Sequence, residues 1–463
     1  MKFRVEKDML GEKKIPAEAY WGINTARALS NFPLSGVRVN QNLIRAMALV
    51  KKAAALANLE LKYLDEKKAK AVISAAEEVA EGKFPEEFPL DAYQGGAGTS
   101  TNMNVNEVIA NRASELLGGN KGMSSLVHPL EDVNKHQSTN DVYPTSLKIA
   151  LILDLKALAA VNASLQGAFQ KKEKAFAGIV KIGRTELQEA VPVTLGAEFS
   201  AFAEAFARDR WRAFKAEERI RVVNMGGTAV GTGLGAPKSY IFLVIEKLRE
   251  VTGLGLSRSE NVMDSTSNND AFVEVSAILK ANAVNLIKIS SDLRLLNLLG
   301  EIKLPSVQAG SSIMPGKVNP VIAEAVAQAG YRVMANDTIA SEVCARGTLQ
   351  INEFMPLLAH AMLETTGLLI ASGKMFAAHV EGITADENKC REYFEKSPAL
   401  VTAFLPHIGY DRASALLAGF KKTNDPNLRK FLEGKLGKDL VDKVLSPYSL
   451  VSLGYRDENA DHT

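Results

Sequence analysis

Three apolar stripes at helical spacing, each free of proline over a long stretch, constrain the fold of this chain more than any other feature. Leu147, Leu151, Leu155, Leu158, Leu165 and Phe169 fall on one helical face, and no proline lies between Pro144 and Pro192. Phe199, Phe202 and Phe206 begin a second stripe, with no proline after Pro192 until Pro237. Phe272, Val275, Leu279, Leu286, Ile289, Leu293 and Leu296 form a third, which ends before Pro305. This period predicts helices that bury one face each. A fourth and fifth helix are expected after Pro320 and after Gln350. A helix of about 30 residues spans roughly 45 Å, and rods with one apolar stripe bury it by packing as an antiparallel bundle. Strand-like alternation is scarce and there is no repeat of fixed period, so the expected class is all-α.

The bundle is expected over residues 139–385. Before it, residues 1–138 form a mixed, mostly helical domain holding Pro16, Pro33, Pro85 and Pro89 and one good helix near 43–61. After it, 386–463 reads as a smaller helical domain, whose charged tail RDENADHT is expected to be disordered. At 463 residues the chain can bury a large core. Its 55 basic and 53 acidic residues leave a formal charge of +2, which implies neither a nucleic acid nor another polyanion as partner. Cys344 and Cys390 lie far apart, the pattern of two buried thiols in a reducing cytoplasm. The opening MKFRVEKDMLGEKK has no apolar leader segment, and no apolar run approaches a membrane span, so a soluble cytoplasmic protein is expected. The six histidines do not cluster, and no metal is expected. Gly231-Thr232-Gly233-Leu234-Gly235 only partly imitates a dinucleotide fingerprint and follows no strand, so no nucleotide cofactor is expected either.

Chemistry sits where polar residues interrupt this helical pattern. Gly310-Ser311-Ser312-Ile313-Met314-Pro315-Gly316-Lys317-Val318-Asn319-Pro320 suits no core and no helix interior. Two hydroxyls, an ammonium and a carboxamide on a glycine-flanked loop can hold a carboxylate and stabilise charge that builds on it. Gly95-Gly96-Ala97-Gly98-Thr99-Ser100-Thr101-Asn102-Met103-Asn104, continuing to Asn106-Glu107, allows close backbone approach and offers neutral hydrogen bonds. Gln137-Ser138-Thr139-Asn140-Asp141 suits either a helix N-cap or an anion site at a helix start, and the two uses can coexist. Gly183-Arg184-Thr185-Glu186-Leu187-Gln188 reads as a loop.

In order and spacing these clusters resemble the aspartase/fumarase superfamily of lyases, nearly end to end. Ile15-Pro16-Ala17-Glu18-Ala19-Tyr20-Trp21-Gly22 and His407-Ile408-Gly409-Tyr410 resemble its aspartase/class II fumarase branch. Gly96-Ala97-Gly98-Thr99-Ser100 leans to the aspartase side, whereas the segment 111–119 and Asp411 look fumarase-like. The resemblance implies a three-domain fold with a long central bundle, no cofactor, and a homotetramer with sites shared between subunits. It implies reversible deamination of L-aspartate to fumarate and ammonia by Cβ proton abstraction through an aci-carboxylate. Other possibilities are a fumarase-type hydratase or a catalytically silent scaffold on the same fold.

By position, Ser311 would be the general base, and Ser312 with the loop backbone would hold the carboxylate beside the reacting carbon. Thr99, Ser138, Thr139 and Asn140 would bind the leaving ammonium and the β-carboxylate, and Thr185, Lys317 and Asn319 the α-carboxylate. Three departures stand out. Glu186 replaces a His or Gln near the leaving group, the segment 295–302 lacks a longer Gly-Pro-Arg loop, and Gly235 replaces an Asn. Glu324 matches the glutamate that partners the fumarase histidine, so here two carboxyls would face each other and share a proton. His128 with Pro129, Glu131 and Asp132 resembles a secondary anion site, but Leu130 replaces a polar residue, and the segment reads as a surface loop.

Overall fold

The computed structural model describes residues 2–423 and 427–454; the tail 456–463 expected to be disordered lies outside the described residues. An antiparallel hairpin (β1, Phe3–Asp8; β2, Gly11–Pro16) precedes α1 (Ile23–Asn31), α2 (Gln41–Glu60), α3 (Glu66–Ala80), α4 (Thr99–Leu116) and α5 (Thr139–Ala175). A second antiparallel hairpin (β3, Val180–Thr185; β4, Gln188–Thr194) leads into α6 (Leu195–Ile220). The parallel pair β5 (Val222–Val223) and β6 (Ser257–Arg258) flanks α7 (Lys238–Thr252), and α8 (Val262–Ser267) precedes α9 (Asp270–Leu298). Strand β7 (Ile302–Lys303) pairs antiparallel with β8 (Thr384–Ala385), with α10 (Val321–Cys344) and α11 (Met355–Glu381) between them in sequence. Helices α12 (Glu387–Lys396), α13 (Leu405–Phe420), α14 (Leu428–Leu436), α15 (Lys438–Val444) and α16 (Pro447–Val451) follow.

The three stripes lie on α5, α6 and α9, and every residue named for them is buried. The expected fourth and fifth helices are α10 and α11. Helix α5 begins at Thr139 and carries Pro144 in its second turn, earlier than the stripe indicated. Proline there leaves the Asn140 carbonyl without its helical donor, and Asn224 Nδ2 supplies one at 2.9 Å. The apolar windows of α5 and α11 are long enough to cross a membrane, contrary to the sequence reading. At least half of each window is buried within the protein, as in core helices.

Two compact units arise. The first comprises Met1–Ala159, Trp211–Ala283 and Tyr331–Ile370. In it α2 packs on α3, α4 and α7 and buries Met47, Val50, Ala54 and, on the same face, Lys51 and Asn58. The second comprises Ala160–Arg210, Val284–Gly330 and Ala371–Thr463. Its helical part is knit by aromatic rings: Phe169 stacks on Phe206 at 5.5 Å and meets Phe199, Phe202 and Phe376 within 6 Å. A further core in this unit joins Ile182 to Phe394, Leu400, Phe404, Leu428 and Leu432.

Three further sequence readings need correction. The segment 180–194 is a hairpin, not a loop. Its two-residue turn is Glu186–Leu187, both at positive φ (52° and 62°), as in a type I′ turn, but without the Asn or Gly that normally signals one. Pro192 inside β4 hides it further. Residues 129–133 form one π-helical turn capped by His128 Nδ1, which accepts from the N–H groups of Leu130 and Glu131, both at 3.1 Å. Of the two thiols, Cys390 is buried but Cys344 is only half-buried.

Candidate active site

Thr99, Ser138, Thr139 and Asn140 belong to the first unit. Gly98 has φ +92° and lies against the Tyr143 ring, where a Cβ would fall 2.2 Å from ring carbon, so only glycine lets α4 start here. Thr99, exposed at the first position of α4, donates its hydroxyl to the Gly96 carbonyl at 2.8 Å. Most of the following cluster faces inward. Asn104 Nδ2 donates to the Glu87 carbonyl, and the buried Glu107 accepts from the N–H groups of Gly22, Asn24 and Thr25 and from the Thr25 hydroxyl. Burial raises the Glu107 pKa, and those donors oppose the rise.

At the α5 start, the Ser138 N–H donates to Asp141 Oδ1 at 2.9 Å while Ser138 Oγ accepts from the Asn140 N–H at 3.2 Å. Ser138 thus caps the second helical residue while Asp141, the third, bonds back to the cap as in a capping box, so the capping use is realised. Asp141 Oδ2 accepts from the N–H groups of Gly226 and Thr228 at 3.2 and 3.0 Å. One buried carboxylate thus ties the helix start to the 224–236 loop, and Asn140 Nδ2 adds a bond to the Ala229 carbonyl at 2.7 Å. Thr139 Oγ1 accepts from Asn102 Nδ2 at 3.1 Å. Asn102 and Asn106 also donate to Asn134 Oδ1, leaving their own Oδ1 atoms buried without partners.

Lys51 completes this network and was missed from sequence. It is fully buried, and its ammonium donates to Asn134 Oδ1 and Gln137 Oε1 at 2.8 and 2.9 Å. Burial pushes its pKa down to about 7, against the pull of Asp141, and pushes Asp141 up to about 6. The available signal was a lysine in helical register with Met47, Ala54 and Asn58.

Thr185, Glu186, Ser311, Ser312, Lys317, Asn319 and Glu324 belong to the second unit. The 310–320 loop closes on itself: the Gly310 N–H donates to the Lys317 carbonyl at 2.7 Å, and Asn319 Nδ2 donates to the Gly310 carbonyl at 2.9 Å. A Cβ on Gly310 would sit 2.9 Å from the Lys317 oxygen, so the closure requires glycine. Asn319 is therefore engaged within the loop. Ser311 is half-buried, while Ser312 and Lys317 are exposed. Ser311 Oγ accepts from the N–H groups of Ile313 and Met314 at 3.1 and 2.9 Å. Two donors aimed at one hydroxyl oxygen favour negative charge on it.

Thr185 and Glu186 are exposed at the tip of the β3–β4 hairpin. Among the described residues, Glu186 forms no side-chain hydrogen bond or ion pair within the chain. Glu324 lies 3.8 Å from the Arg294 guanidinium. The expected Glu186–Glu324 proton sharing is thus not formed inside one chain, because the hairpin tip projects Glu186 to solvent while Glu324 faces a cation. The shortened segment 295–302 comprises the last turn of α9, a tight turn over 299–301 with Gly300 at φ +77°, and the first residue of β7.

A model of the lyase family matches residues 11–335. The aspartate ammonia-lyase of Bacillus subtilis (strain 168) is 42% identical over 98% of this chain and 97% of its own length. That of Pseudomonas fluorescens is 45% identical over 97% and 96%. Among solved structures, a fumarate lyase:delta crystallin from Brucella melitensis bound to cobalt superposes with a TM-score of 0.93 at 43% identity, covering 98% of this chain and 100% of that one. A class II fumarase from Schistosoma mansoni gives a TM-score of 0.88 at 33% identity, covering 96% and 98%.

Proposed function

The chain belongs to the aspartase/fumarase family of lyases, and from that premise we infer that it is a carbon–nitrogen lyase that converts L-aspartate reversibly to fumarate and ammonia. Identity along nearly the whole chain is higher to the ammonia-lyases than to the fumarase, which favours deamination over hydration.

Ser311 removes the Cβ proton, and the electron pair moves into the neighbouring carboxylate as an aci-carboxylate dianion. The Cα–N bond then breaks and ammonia departs. The observation that carries this reading is the pair of backbone donors on Ser311 Oγ. An unassisted serine is too weak a base, and two fixed N–H groups stabilise its alkoxide form. Ser312 and the loop backbone hold the carboxylate beside the reacting carbon. Lys317, exposed on the same loop, meets the α-carboxylate with Thr185 and Asn319. Thr99, Ser138, Thr139 and Asn140 bind the ammonium and the β-carboxylate. Glu186 lies by the leaving group, where a carboxylate favours an ammonium over the neutral hydroxyl of malate.

The working enzyme is a cytoplasmic homotetramer that shares its sites between subunits. Light scattering should give about 200 kDa, from four 49.9 kDa chains; a monomer at micromolar concentration overturns the assembly. Fumarate absorbance should rise on mixing the protein with L-aspartate, and far less with L-malate. Malate turnover exceeding aspartate turnover, or no turnover of either, overturns the assignment.

A further inference from the structure

We propose that Glu301 is a positioning residue for catalysis, clamping through Lys181 and Arg184 the hairpin that presents Thr185 and Glu186 to the substrate. This deepens the ammonia-lyase reading and rests on it. Glu301 is fully buried, and both carboxylate oxygens are met from one strand. Arg184 Nη1 donates to Oε1 at 2.7 Å. Lys181 Nζ lies 2.7 Å from Oε2, an ion pair whose angle falls outside hydrogen bonding. Lys181 also donates to Glu198 Oε2 at 2.7 Å, at the start of α6. Two anchor points three residues apart fix the direction of β3 as well as its place. Glu301 is itself held, since its carbonyl accepts from the Asp386 N–H at 2.9 Å and from Cys390 Sγ at 3.6 Å. The Arg184 guanidinium lies 5.1 Å from the Tyr393 ring centroid, and the Tyr393 hydroxyl donates to the Leu299 carbonyl at 3.2 Å.

Buried ion pairs are a poor route to stability, because well-packed apolar residues often do as well. What charge adds is a fixed fork geometry. The tip needs it: Glu186 and Leu187 both stand at positive φ without being glycine, a conformation that persists only where its surroundings over-determine it. Among the described residues no side-chain bond of Glu186 supplies that constraint, so strand pairing and the clamp below must. From Glu301 the chain runs through β7 toward the 310–320 loop, which places a second substrate-binding segment downstream of the same anchor.

The test is Glu301→Gln, which keeps shape and removes charge, assayed on the purified full chain. The expected result is at least a tenfold fall in kcat/KM for L-aspartate, carried mainly by KM. Oligomeric state and far-UV circular dichroism should be unchanged, and amide hydrogen exchange at residues 185–188 at least tenfold faster. KM and tip exchange within twofold of the unmodified protein overturn the proposal, even if the melting temperature falls, since the cluster is then structural only. If Glu301→Gln does not fold, Arg184→Lys is read by the same two criteria. An unmodified protein inert toward L-aspartate refutes the ammonia-lyase reading instead, and tip exchange alone then decides whether Glu301 positions the hairpin.

Discussion

The start of α5 and the 310–320 loop use the same kinds of residue to opposite structural ends. The residues from Ser138 to Asp141 are tied to distant sequence: Asp141 reaches the buried Gly226 and Thr228, Asn102 reaches Thr139, and Asn140 reaches the exposed Ala229. The loop binds chiefly itself, through Gly310, Ser311, Met314, Lys317 and Asn319, and most of it is exposed. In the first region geometry is enforced by burial, so a change there strikes the fold and the site together. In the second it is local, so on the proposed function a change is expected to strike chemistry with little cost to stability.

Ser311→Ala tests that contrast most severely. Losing a general base costs typically 10²–10⁴-fold, so kcat for L-aspartate should fall by about 10³-fold. The urea midpoint should barely move, because Ser311 bonds only within its own loop and substitutions away from the core usually stay within about 0.5 kcal/mol. Near-normal turnover in a folded variant removes Ser311 from the mechanism.

Asp141→Asn should do the reverse. The amide group would point its own hydrogens at Ser138 N–H or at the N–H groups of Gly226 and Thr228, and each buried donor left unpaired costs about 1–3 kcal/mol. Relief from burying a charge offsets part of this. A net loss of about 2 kcal/mol in urea unfolding at pH 7 is expected, with a raised KM for L-aspartate. A variant within about 0.5 kcal/mol of the parent would show that burial does not enforce this region.

These two regions also mark how far the sequence could be read. The long helices were legible because each stripe repeats one physical demand many times over, from Leu147 to Phe169 and from Phe272 to Leu296. The 310–320 loop was legible because its Gly, Ser and Lys residues suit no core. The capping role of Ser138 is a local pattern and was seen as one of two open uses. Asp141 as a hub was not, since Gly226 and Thr228 lie 85 and 87 residues away and contribute only backbone N–H groups, which leave no side-chain signature. The β3–β4 hairpin escaped because Glu186–Leu187 carries no turn chemistry. Its conformation is imposed from outside the turn, and sequence reading sees only the turn.

Lys51→Met isolates the electrostatic part of the buried network. The folded-state pKa of Lys51 lies near 7, below its ordinary value of 10.5, so its contribution to stability is present above 10.5 and lost as pH falls through 7. Across that window the unfolded chain binds one proton more. The unmodified protein should therefore gain stability on Lys51→Met as pH rises, by up to about 1.4 kcal/mol per pH unit. Urea melts of both proteins at pH 7, 8 and 9 check this. Parallel stability curves would mean that Lys51 keeps its ordinary proton affinity inside the fold.

The smallest expected effect is the one that bears most on substrate choice. Glu186 sits exposed at a turn whose backbone is set from below, so Glu186→Gln should leave stability within about 0.5 kcal/mol. Its effect belongs to the substrate. A carboxylate by the departing group strengthens the grip on an ammonium, and a neutral amide of the same shape keeps hydrogen bonding but loses charge, a difference on the order of 1 kcal/mol for a solvated pair. That corresponds to roughly a fivefold fall in kcat/KM for L-aspartate. Glu186→His should raise malate turnover if Glu324, now facing Arg294 at 3.8 Å, turns to orient the imidazole. Equal kinetics in Glu186→Gln would make Glu186 a solvated hairpin tip. The preference for aspartate would then have to come from Thr99, Ser138, Thr139 and Asn140 alone, the region that burial holds in place.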